Sequence, residues 1–599
     1  MSTPPRWDMS NVYPSLESPE FQAAVRDYKA QVAGFGKFFD GRISKAGPKA
    51  PAPKLANLAG EAIDRVNRIQ VLSGTIVPYI YAFITTDSHN KVAQRALSEF
   101  EQASLPMDKL MVRMRSWLGK LGPKLTQVTK KNKTALAHAF MLKEAARLSK
   151  FQMSDEQEGL ASEMTLSGGN AWEKLQGTVT SQITVDFELD GKMQKMPMTA
   201  LINLRSHPDE STRRRAYEAE SATWETVKET LAACLNGVKG EASTLNKRRG
   251  RKDGVHSALD AARIDRRTLE AMLEAMQASF PMFRKYFRAK ARKLGKEKLA
   301  WWDLFAPLGK TDRVYSFEQA RDFVLDNFGR FSPDLRAYAK RAFENRWIDA
   351  EQREGKRGGA FCMGVAAVKE SRVLCNFDGS FDQVSTIAHE LGHGFHNECA
   401  YAAGKTELQQ LTPMTLAETA STMCETIVTE AVLSTTKDPQ EELAVLEAQI
   451  QGAGQVVVDI YSRYLFEKEV FERRAQAELS ADDFCEIMER AQKATYGDGL
   501  DERYLQKFMW TWKPHYYSPG LSFYNFPYAF GLLFATGLYA IYKQRGPAFV
   551  EDYRKLLAST GEATAASLAK RFGIDIRTRK FWDDSLAIIG KRIDRFCDL

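Results

Sequence analysis

The sequence predicts a mostly α-helical fold with a small β element. Through most of the 599 residues, apolar side chains recur at spacings of three and four, and strict alternation is confined to short segments. Hydrophobic residues make up 44% of the chain and charged residues 27%, which is typical of a soluble globular protein. The net charge of +8 is too small over this length to indicate a nucleic-acid partner, so we expect none.

The N-terminal part of the chain predicts several helices in succession. The first extends from Pro19 to Gly34, where apolar residues follow the helical period at Phe21, Val25, Tyr28 and Val32. The same pattern returns over residues 55–85, 90–120 and 133–150, with breaks such as Gly122-Pro123 between them. None of these segments carries a chemical motif.

Two segments depart from the helical pattern. Residues Ile183, Val185, Phe187 and Leu189 alternate with polar residues and are followed by Asp190-Gly191, which predicts a β-hairpin. A second strand is expected over Ser371 to Phe377, before Asp378-Gly379. We therefore expect a helical N-terminal region of residues 1–200 that ends in the hairpin, and a catalytic domain of residues 201–599.

An apolar stretch near the C-terminus resembles a membrane span but does not fit one. No Asp, Glu, Lys or Arg occurs from Pro514 to Tyr542. Its most apolar part, Phe526 to Tyr542, is shorter than the roughly 20 residues that a spanning helix needs, and it contains Pro527 and two glycines. The segment predicts a buried helix preceded by an aromatic loop, so we expect no membrane partner.

The cysteine pattern indicates a reducing compartment. The seven cysteines are an odd number, and none forms a C-x-x-C pair, which argues against a disulfide framework and a cysteine zinc site. The sequence starts without a basic segment followed by an apolar one, as a secretory signal would have. We expect a cytoplasmic protein.

One motif accounts for two of the eight histidines. The amphipathic segment from Phe381 to Glu398 contains His389-Glu390-Leu391-Gly392-His393. Histidines at positions i and i+4 project from one helix face, where both rings can reach one Zn²⁺. The glutamate beside the first histidine can deprotonate a metal-bound water. The alternative is a solvated helix with two histidines, which the apolar neighbours disfavour.

A catalytic zinc requires a third protein ligand, and the helix-like segment from Met414 to Leu433 offers candidates. Glu418 lies among apolar residues and is the expected ligand, while Glu425, two turns later, is expected to support a ligating histidine. Either could instead form an ordinary salt bridge. His396 could be a fourth ligand that closes the site, but a supporting or packing role is preferred because Glu390 would have no purpose in a closed site.

The aromatic loop offers neutral hydrogen-bond donors. Peptide hydrolysis creates an oxyanion, which a Tyr hydroxyl or a His N–H can stabilise in a dry site. His515, Tyr524 and Tyr528 could supply such groups, and aromatic core packing is the alternative.

Together these motifs resemble the oligoendopeptidase F branch of the thimet-oligopeptidase-like zinc metallopeptidases. The resemblance includes the Trp7–Tyr13 segment, Lys356–Phe361, the HELGH motif, Leu416-Ala-Glu418-Thr-Ala-Ser and the segment from His515 to Tyr528. It implies a zincin-type helical peptidase with a deep substrate channel and a small β element near the zinc helix.

The resemblance also implies one Zn²⁺ per chain, bound by His389, His393 and Glu418. Glu390 would be the general base, and His515 with Tyr524 or Tyr528 would stabilise the transition state. The expected activity is hydrolysis of internal bonds in short peptides, with the substrate backbone pairing to the Ser371–Phe377 strand. A zinc carboxypeptidase, a dipeptidyl carboxypeptidase or a non-catalytic peptide-binding protein with a vestigial site are the alternatives.

Overall fold

Helices make up most of the structure, a computed structural model that describes residues 3–310 and 313–599. In chain order the α-helices are α1 Pro19–Phe38, α2 Ala52–Thr86, α3 Lys91–Leu121, α4 Leu125–Thr129, α5 Lys133–Ala137, α6 Ala139–Leu148, α7 Asp155–Ser167, α8 Gly169–Gln182, α9 Met198–Asn203, α10 Glu210–Arg248, α11 His256–Ala261, α12 Arg266–Ala278, α13 Phe280–Lys293, α14 Phe317–Phe331, α15 Pro333–Glu344, α16 Phe381–Ala402, α17 Met414–Thr435, α18 Pro439–Gly454, α19 Ile460–Arg474, α20 Ala481–Tyr496, α21 Phe526–Arg545, α22 Ala548–Leu557, α23 Ala565–Arg571 and α24 Arg579–Asp598.

The predicted N-terminal helices are confirmed, and their ends have local causes. Helix α1 begins where the Ser18 side chain accepts a hydrogen bond from the backbone N–H of Phe21, with Pro19 in the first turn. It continues to Phe38, four residues beyond the expected end, and then passes into a π-helical turn at Phe39–Ile43. Gly34 therefore does not end this helix.

The expected hairpin is confirmed. Strands β1 (Thr184–Leu189) and β2 (Lys192–Pro197) are antiparallel, with Leu189 opposite Lys192. Asp190 and Gly191 both have positive φ, 52° and 73°, as the two central residues of a type I′ turn require.

A second sheet contains strands β3 (Ile348–Asp349), β4 (Phe361–Val365) and β5 (Glu370–Leu374) in the order β3-β5-β4. Strand β5 pairs parallel with β3 and antiparallel with β4. The strand expected over Ser371 to Phe377 therefore exists, but it ends at Leu374 and is central.

The chain forms two compact units that alternate along the sequence. Unit 1 comprises Met1–Gln152, Arg313–Ala431 and Ile541–Gly573, and unit 2 comprises Met153–Asp312, Val432–Ala540 and Ile574–Leu599. The expected boundary at residue 200 falls inside the first segment of unit 2, so the compact units do not follow it.

Unit 1 has a core built on α1, α2 and α3, with Phe35, Ile76 and Tyr79 fully buried in it. Helix α2 is long and apolar enough to span a membrane by length and composition, a test that core helices also pass. Its buried side chains belong to this core.

Unit 2 contains most of the buried C-terminal helix that the sequence predicts, α21, which continues past Ala540 into unit 1. Phe530, Leu533 and Phe534 of α21 are fully buried. The aromatic segment before it forms short 3₁₀ turns at Met509–Trp512 and Pro514–Tyr517. Tyr516 and Tyr517 at its centre are also fully buried, so much of this loop is core.

Candidate metal centre and catalytic residues

Helix α16 presents the two motif histidines on one face. It begins where the Ser380 side chain accepts a hydrogen bond from the Gln383 N–H at 3.3 Å. His389 and His393 lie one turn apart with ring centroids 5.1 Å from each other. The ring planes are inclined by 78°, so both rings can point a nitrogen at one point without stacking.

Helix α17 adds Glu418 to the pair. Its Oε2 lies 3.3 Å from Nε2 of His389 and 3.4 Å from Nε2 of His393. Ligand atoms of a tetrahedral Zn²⁺ site with bonds of about 2.0–2.1 Å are themselves about 3.3–3.4 Å apart. Among the described residues these three form the metal-binding group, with ligand atoms within 4.8 Å of one another. The arrangement therefore fits a zinc ion.

A glycine allows the two helices to approach this closely. A Cβ placed on Gly392 would lie 2.6 Å from the carbonyl oxygen of Ala420 and 2.6 Å from Cα of Ser421. Both are backbone atoms of α17, which a side-chain rotation cannot move aside. The glycine between the motif histidines thus permits the contact that brings Glu418 to them.

Two further polar groups orient the ligands. Nδ1 of His389 donates to Oε2 of Glu425 at 3.2 Å, which leaves Nε2 free to bind a metal. The hydroxyl of Ser421 donates to Oε2 of Glu418 at 2.6 Å and restrains that carboxylate. The expected supporting role of Glu425 agrees with this geometry.

The electrostatics of the cluster call for a cation. Burial lowers the pKa of His389, but hydrogen bonds to Glu418 and Glu425 outweigh it and raise the pKa to about 10. Burial disfavours the charged form of Glu418. The two histidines favour it more strongly, so the pKa of Glu418 falls to about 2. Burial lowers the pKa of His393 to about 4. The carboxylates of Glu418 and Glu425 both lie close to His389, a concentration of negative charge that a bound divalent cation would balance.

Glu390 takes no part in these hydrogen bonds. Its side chain is buried, and in the described part of the chain its Oε2 has no hydrogen-bond partner. Burial raises its pKa to about 7, against the charge of His389. A buried carboxyl group with an unused oxygen and a pKa near neutrality is suited to exchange a proton with a bound water or substrate.

His396 is held away from the ligand cluster. Its Nε2 shares a hydrogen bond of 2.8 Å with Oγ1 of Thr560, which in turn contacts Oγ1 of Thr412 at 2.7 Å. Its ring is buried, and burial lowers its pKa to about 4. This geometry agrees with a packing role and not with a fourth ligand.

The strand expected to pair with a substrate is in the wrong position for that role. Strand β5 has a neighbour on each side, because Val373 and Leu374 pair with both β3 and β4. The expectation for Ser371–Phe377 is therefore wrong. Strand β4 lies at the edge of this sheet, so it is better placed than β5 to pair with a peptide.

The three candidate oxyanion donors form one cluster in unit 2. The hydroxyls of Tyr524 and Tyr528 lie 2.7 Å apart, and the rings of His515 and Tyr524 are 5.6 Å apart. Nδ2 of Asn525 donates to Nε2 of His515 at 2.7 Å, which places the proton of the neutral ring on Nδ1. Burial, with the charges of Arg463 and two lysines, lowers the pKa of His515 to about 3. The ring is thus neutral.

A buried ion pair anchors the segment that leads into this cluster. Nζ of Lys239 and Oε1 of Glu467 are 2.7 Å apart, with side chains 2% and 3% exposed. Oε2 of the same glutamate accepts the backbone N–H of Phe523 at 2.9 Å. Phe523 has a positive φ of 53°, so this hydrogen bond fixes a bend directly before Tyr524.

Sequence reasoning missed several of these supporting residues. Ser421, Thr560 and Asn525 each contact a site residue, and Ser421 alone lies within one helical turn of its partner. A hydroxyl three residues after a ligand carboxylate is a usable signal, since such residues are neighbours on a helix. The other two contacts depend on tertiary packing.

Comparison with known proteins identifies the family. A model described as Peptidase family M3 matches residues 203–588. The chain belongs to Peptidase family M3. Family M3 comprises zinc metallopeptidases, and the His389, His393 and Glu418 cluster lies within the matched segment.

Relatives that resemble this M3 chain carry consistent names. Oligopeptidase PepF of Bacillus subtilis is 21% identical and the match covers 99% of this chain and 87% of that protein. An oligoendopeptidase F homolog of Lactococcus lactis subsp. lactis is 24% identical over 65% of this chain. That match covers 64% of the relative, less than two thirds of its length. Membership in family M3 supports a metallopeptidase.

Solved structures confirm the mostly α-helical fold of this M3 chain. A putative peptidase from Chlamydophila abortus matches with a TM-score of 0.83 at 18% identity, covering 99% of this chain and 98% of that one. Oligoendopeptidase-F from Enterococcus faecium matches with a TM-score of 0.70 at 20% identity, covering 96% and 98%.

Proposed function

We propose that this protein is a zinc-dependent metalloendopeptidase that hydrolyses internal bonds of short oligopeptides. The observation that carries the proposal is the cluster of His389, His393 and Glu418 beside the buried, unsatisfied carboxyl group of Glu390. Membership in family M3 and the oligopeptidase names of the relatives support it.

One zinc ion would be held by Nε2 of His389, Nε2 of His393 and the carboxylate of Glu418. When bound, it would polarise the scissile carbonyl and lower the pKa of water at the site. The separations of 3.3 and 3.4 Å between ligand atoms suit its tetrahedral geometry. Glu425 keeps His389 in the tautomer that binds metal, because it accepts the proton of Nδ1.

Glu390 would move the proton. Its carboxylate accepts a proton from the attacking water and then returns it to the leaving amine, the usual role of a general base that becomes a general acid. The pKa of about 7 allows both directions near neutral pH. His515, with Tyr524 or Tyr528, would donate to the oxyanion through neutral N–H and O–H groups.

The substrate backbone would pair with the outer edge of β4. The central strand β5 is already paired on both sides, whereas β4 is paired only with β5 in this sheet. Main-chain pairing of this kind holds an extended peptide with little dependence on its side chains. A peptide N-methylated at the paired amides should therefore bind less well than its unmethylated form.

Substitution of Glu390 tests the mechanism. The Glu390→Gln variant should retain about one zinc per chain and lose at least about 100-fold in turnover, because it cannot accept the proton. Glu398→Gln is the matched control, since Glu398 lies on the same helix and pairs with Arg341 at 2.7 Å. Near-normal cleavage by Glu390→Gln would refute the assignment.

The type of peptidase is tested with an internally quenched peptide that is blocked at both ends. An endopeptidase cleaves it, whereas a carboxypeptidase or dipeptidyl carboxypeptidase requires a free C-terminus. One zinc per chain without hydrolysis of any peptide in a library would instead indicate a non-catalytic peptide-binding protein.

We also propose a cytoplasmic location. All seven cysteines are free thiols, and five of them are buried, which suits a reducing compartment. Fractionation of the native host that recovers the protein outside the cytoplasm would contradict this proposal.

A further inference from the structure

Unit 2 contains a pocket that lies apart from the candidate site: no proposed metal ligand or catalytic residue belongs to its lining. Its empty space is about 840 Å³, a volume that includes space open to solvent. Its walls come from α9, α10, α13, α20, the turn between α18 and α19, and the segment before His515.

The pocket contains cations that lack polar partners. Arg205 stacks on the ring of Phe305 at 3.9 Å, and Nζ of Lys513 lies 3.7 Å from the ring centroid of Trp512. Within residues 3–310 and 313–599, neither cation forms a hydrogen bond or an ion pair. Cations confined against aromatic rings without a carboxylate remain available to an anion.

The charges around these two cations leave one positive charge uncompensated. Arg463 also lines the pocket, paired with Asp459 and with its Nε unpartnered among the described residues. The second carboxylate is Glu220, which accepts hydrogen bonds from Trp224 and Gln506. Arg213 lines the pocket as well, but Asp303 neutralises it at 2.8 Å. Three cations thus face two carboxylates.

Burial is the main influence on the pKa values of the two pocket cations. Burial, and after it the charge of Arg463, lowers the pKa of Lys513 to about 7. Burial also lowers the pKa of Arg205. A bound anion would favour the charged forms of both.

An irregular helix and unused donors also mark the pocket. The helical run from α18 to α19 is interrupted by a π-helical turn at Gln455–Asp459, and both of its end residues line the pocket. Such turns inside helices are frequent at functional sites. The indole N–H groups of Trp302 and Trp512, also in the lining, are buried without an acceptor in the described chain. Each is a donor that a ligand oxygen could satisfy.

We propose that this pocket binds the C-terminal carboxylate of a short peptide, with a large apolar or aromatic final side chain against the tryptophans. Arg205 and Lys513 would hold the carboxylate by charge-assisted hydrogen bonds. The choice of a peptide rests on the proposed peptidase function, whereas the choice of a carboxylate rests on the pocket. One uncompensated positive charge matches a monoanion better than a phosphate dianion.

Binding is measured by calorimetry on full-length, zinc-loaded Glu390→Gln protein with the tripeptide Ala-Ala-Phe. The free acid should bind about 10- to 100-fold more tightly than its C-terminal amide, the range expected for a charged hydrogen bond. Arg205→Met and Lys513→Met should each weaken binding of the acid by a similar factor. Lys507→Met is the matched control, since Lys507 is exposed and absent from the lining. Inorganic phosphate should not displace the peptide.

Equal affinity for acid and amide would overturn the proposal, and so would full affinity in both pocket variants or displacement by phosphate. The acid–amide comparison needs no pocket substitution, so a variant that fails to fold does not prevent the test. Hydrolysis by the wild-type protein is measured separately. Absence of carboxylate binding in the pocket can therefore be distinguished from absence of peptidase activity.

Kinetics of the wild type and of Arg205→Met, both with Glu390 intact, distinguish two sources of the carboxylate: the substrate's own C-terminus and a separate peptide. If the substrate's own C-terminus enters the pocket, Arg205→Met raises KM for a free-acid substrate and leaves KM for its amide unchanged. If a separate peptide enters, KM is unchanged and added Ala-Ala-Phe alters the rate in the wild type but not in the variant.

Discussion

Replacing Gly392 by alanine should weaken metal binding without touching a ligand. The added Cβ would lie 2.6 Å from two backbone atoms of α17, whereas ordinary contact begins near 3.4 Å. The helices must therefore separate by about 0.8 Å, which would open the 3.3 and 3.4 Å separations between Glu418 and the two histidines to roughly 4 Å. Zinc sites tolerate deviations of about 0.2 Å.

The expected magnitude combines two opposing contributions. Overpacking against backbone costs about 3 kcal/mol, while alanine gains about 1 kcal/mol over glycine in a helix interior. The net destabilisation is about 2 kcal/mol. Zinc affinity should fall at least about tenfold, as it does when groups that orient ligands are lost.

Competition with a chromogenic chelator measures zinc affinity, and thermal unfolding followed by circular dichroism measures stability. Gly177→Ala is the matched control, because Gly177 lies inside α8 and a Cβ added there would have no atom within 4 Å. That variant should keep its zinc affinity and gain slightly in stability. Wild-type zinc affinity and unfolding temperature in Gly392→Ala would refute the close-packing explanation.

Further predictions concern the same residues and one buried ion pair. Glu425→Gln should lower zinc affinity by about 10- to 100-fold because it weakens the hold on His389, and unchanged affinity in the chelator competition would contradict this. Lys239→Met leaves the charge of Glu467 buried and unpaired, so it should destabilise the protein by about 3–5 kcal/mol, seen as a lower unfolding temperature. A chelator should abolish peptide hydrolysis, and added zinc should restore it. Burial raises the pKa of Glu390 to about 7, so its carboxylate becomes protonated on acidification and can no longer accept a proton. The value of kcat/KM should therefore fall as the pH drops below about 7. A flat profile from pH 5 to 8 would contradict the role of Glu390 as general base.

Patterns that act within a few residues predicted much of this protein. The alternation before Asp190-Gly191 gave the hairpin, because a two-residue turn fixes both strands beside it. The spacing of His389 and His393 placed both rings on one helix face, since a helix turn is a local property. Glu418 was also placed with them, on the basis of its apolar neighbours and the family resemblance.

Partners that are distant in sequence were not predictable in the same way. Thr560 reaches His396 across 164 positions, and no local pattern marks that contact. The strand at Glu370–Leu374 was recognised, but its place between two neighbours depends on segments that sequence reasoning did not read as strands. The alternation of the two units likewise depends on long-range packing.

The discontinuous composition of unit 1 has a consequence for biosynthesis. Both metal-binding helices are complete once residue 435 has been made. They nevertheless pack against the last segment of unit 1, Ile541–Gly573. In that segment Tyr553 donates to the carbonyl of Thr419, and Thr560 contacts His396. That segment ends at Gly573. At roughly 5–20 residues per second, a ribosome takes roughly 7–28 s to synthesise the intervening stretch. During this interval the nascent chain carries all three zinc ligands on helices whose apolar faces are still uncovered, a state that chaperones would recognise.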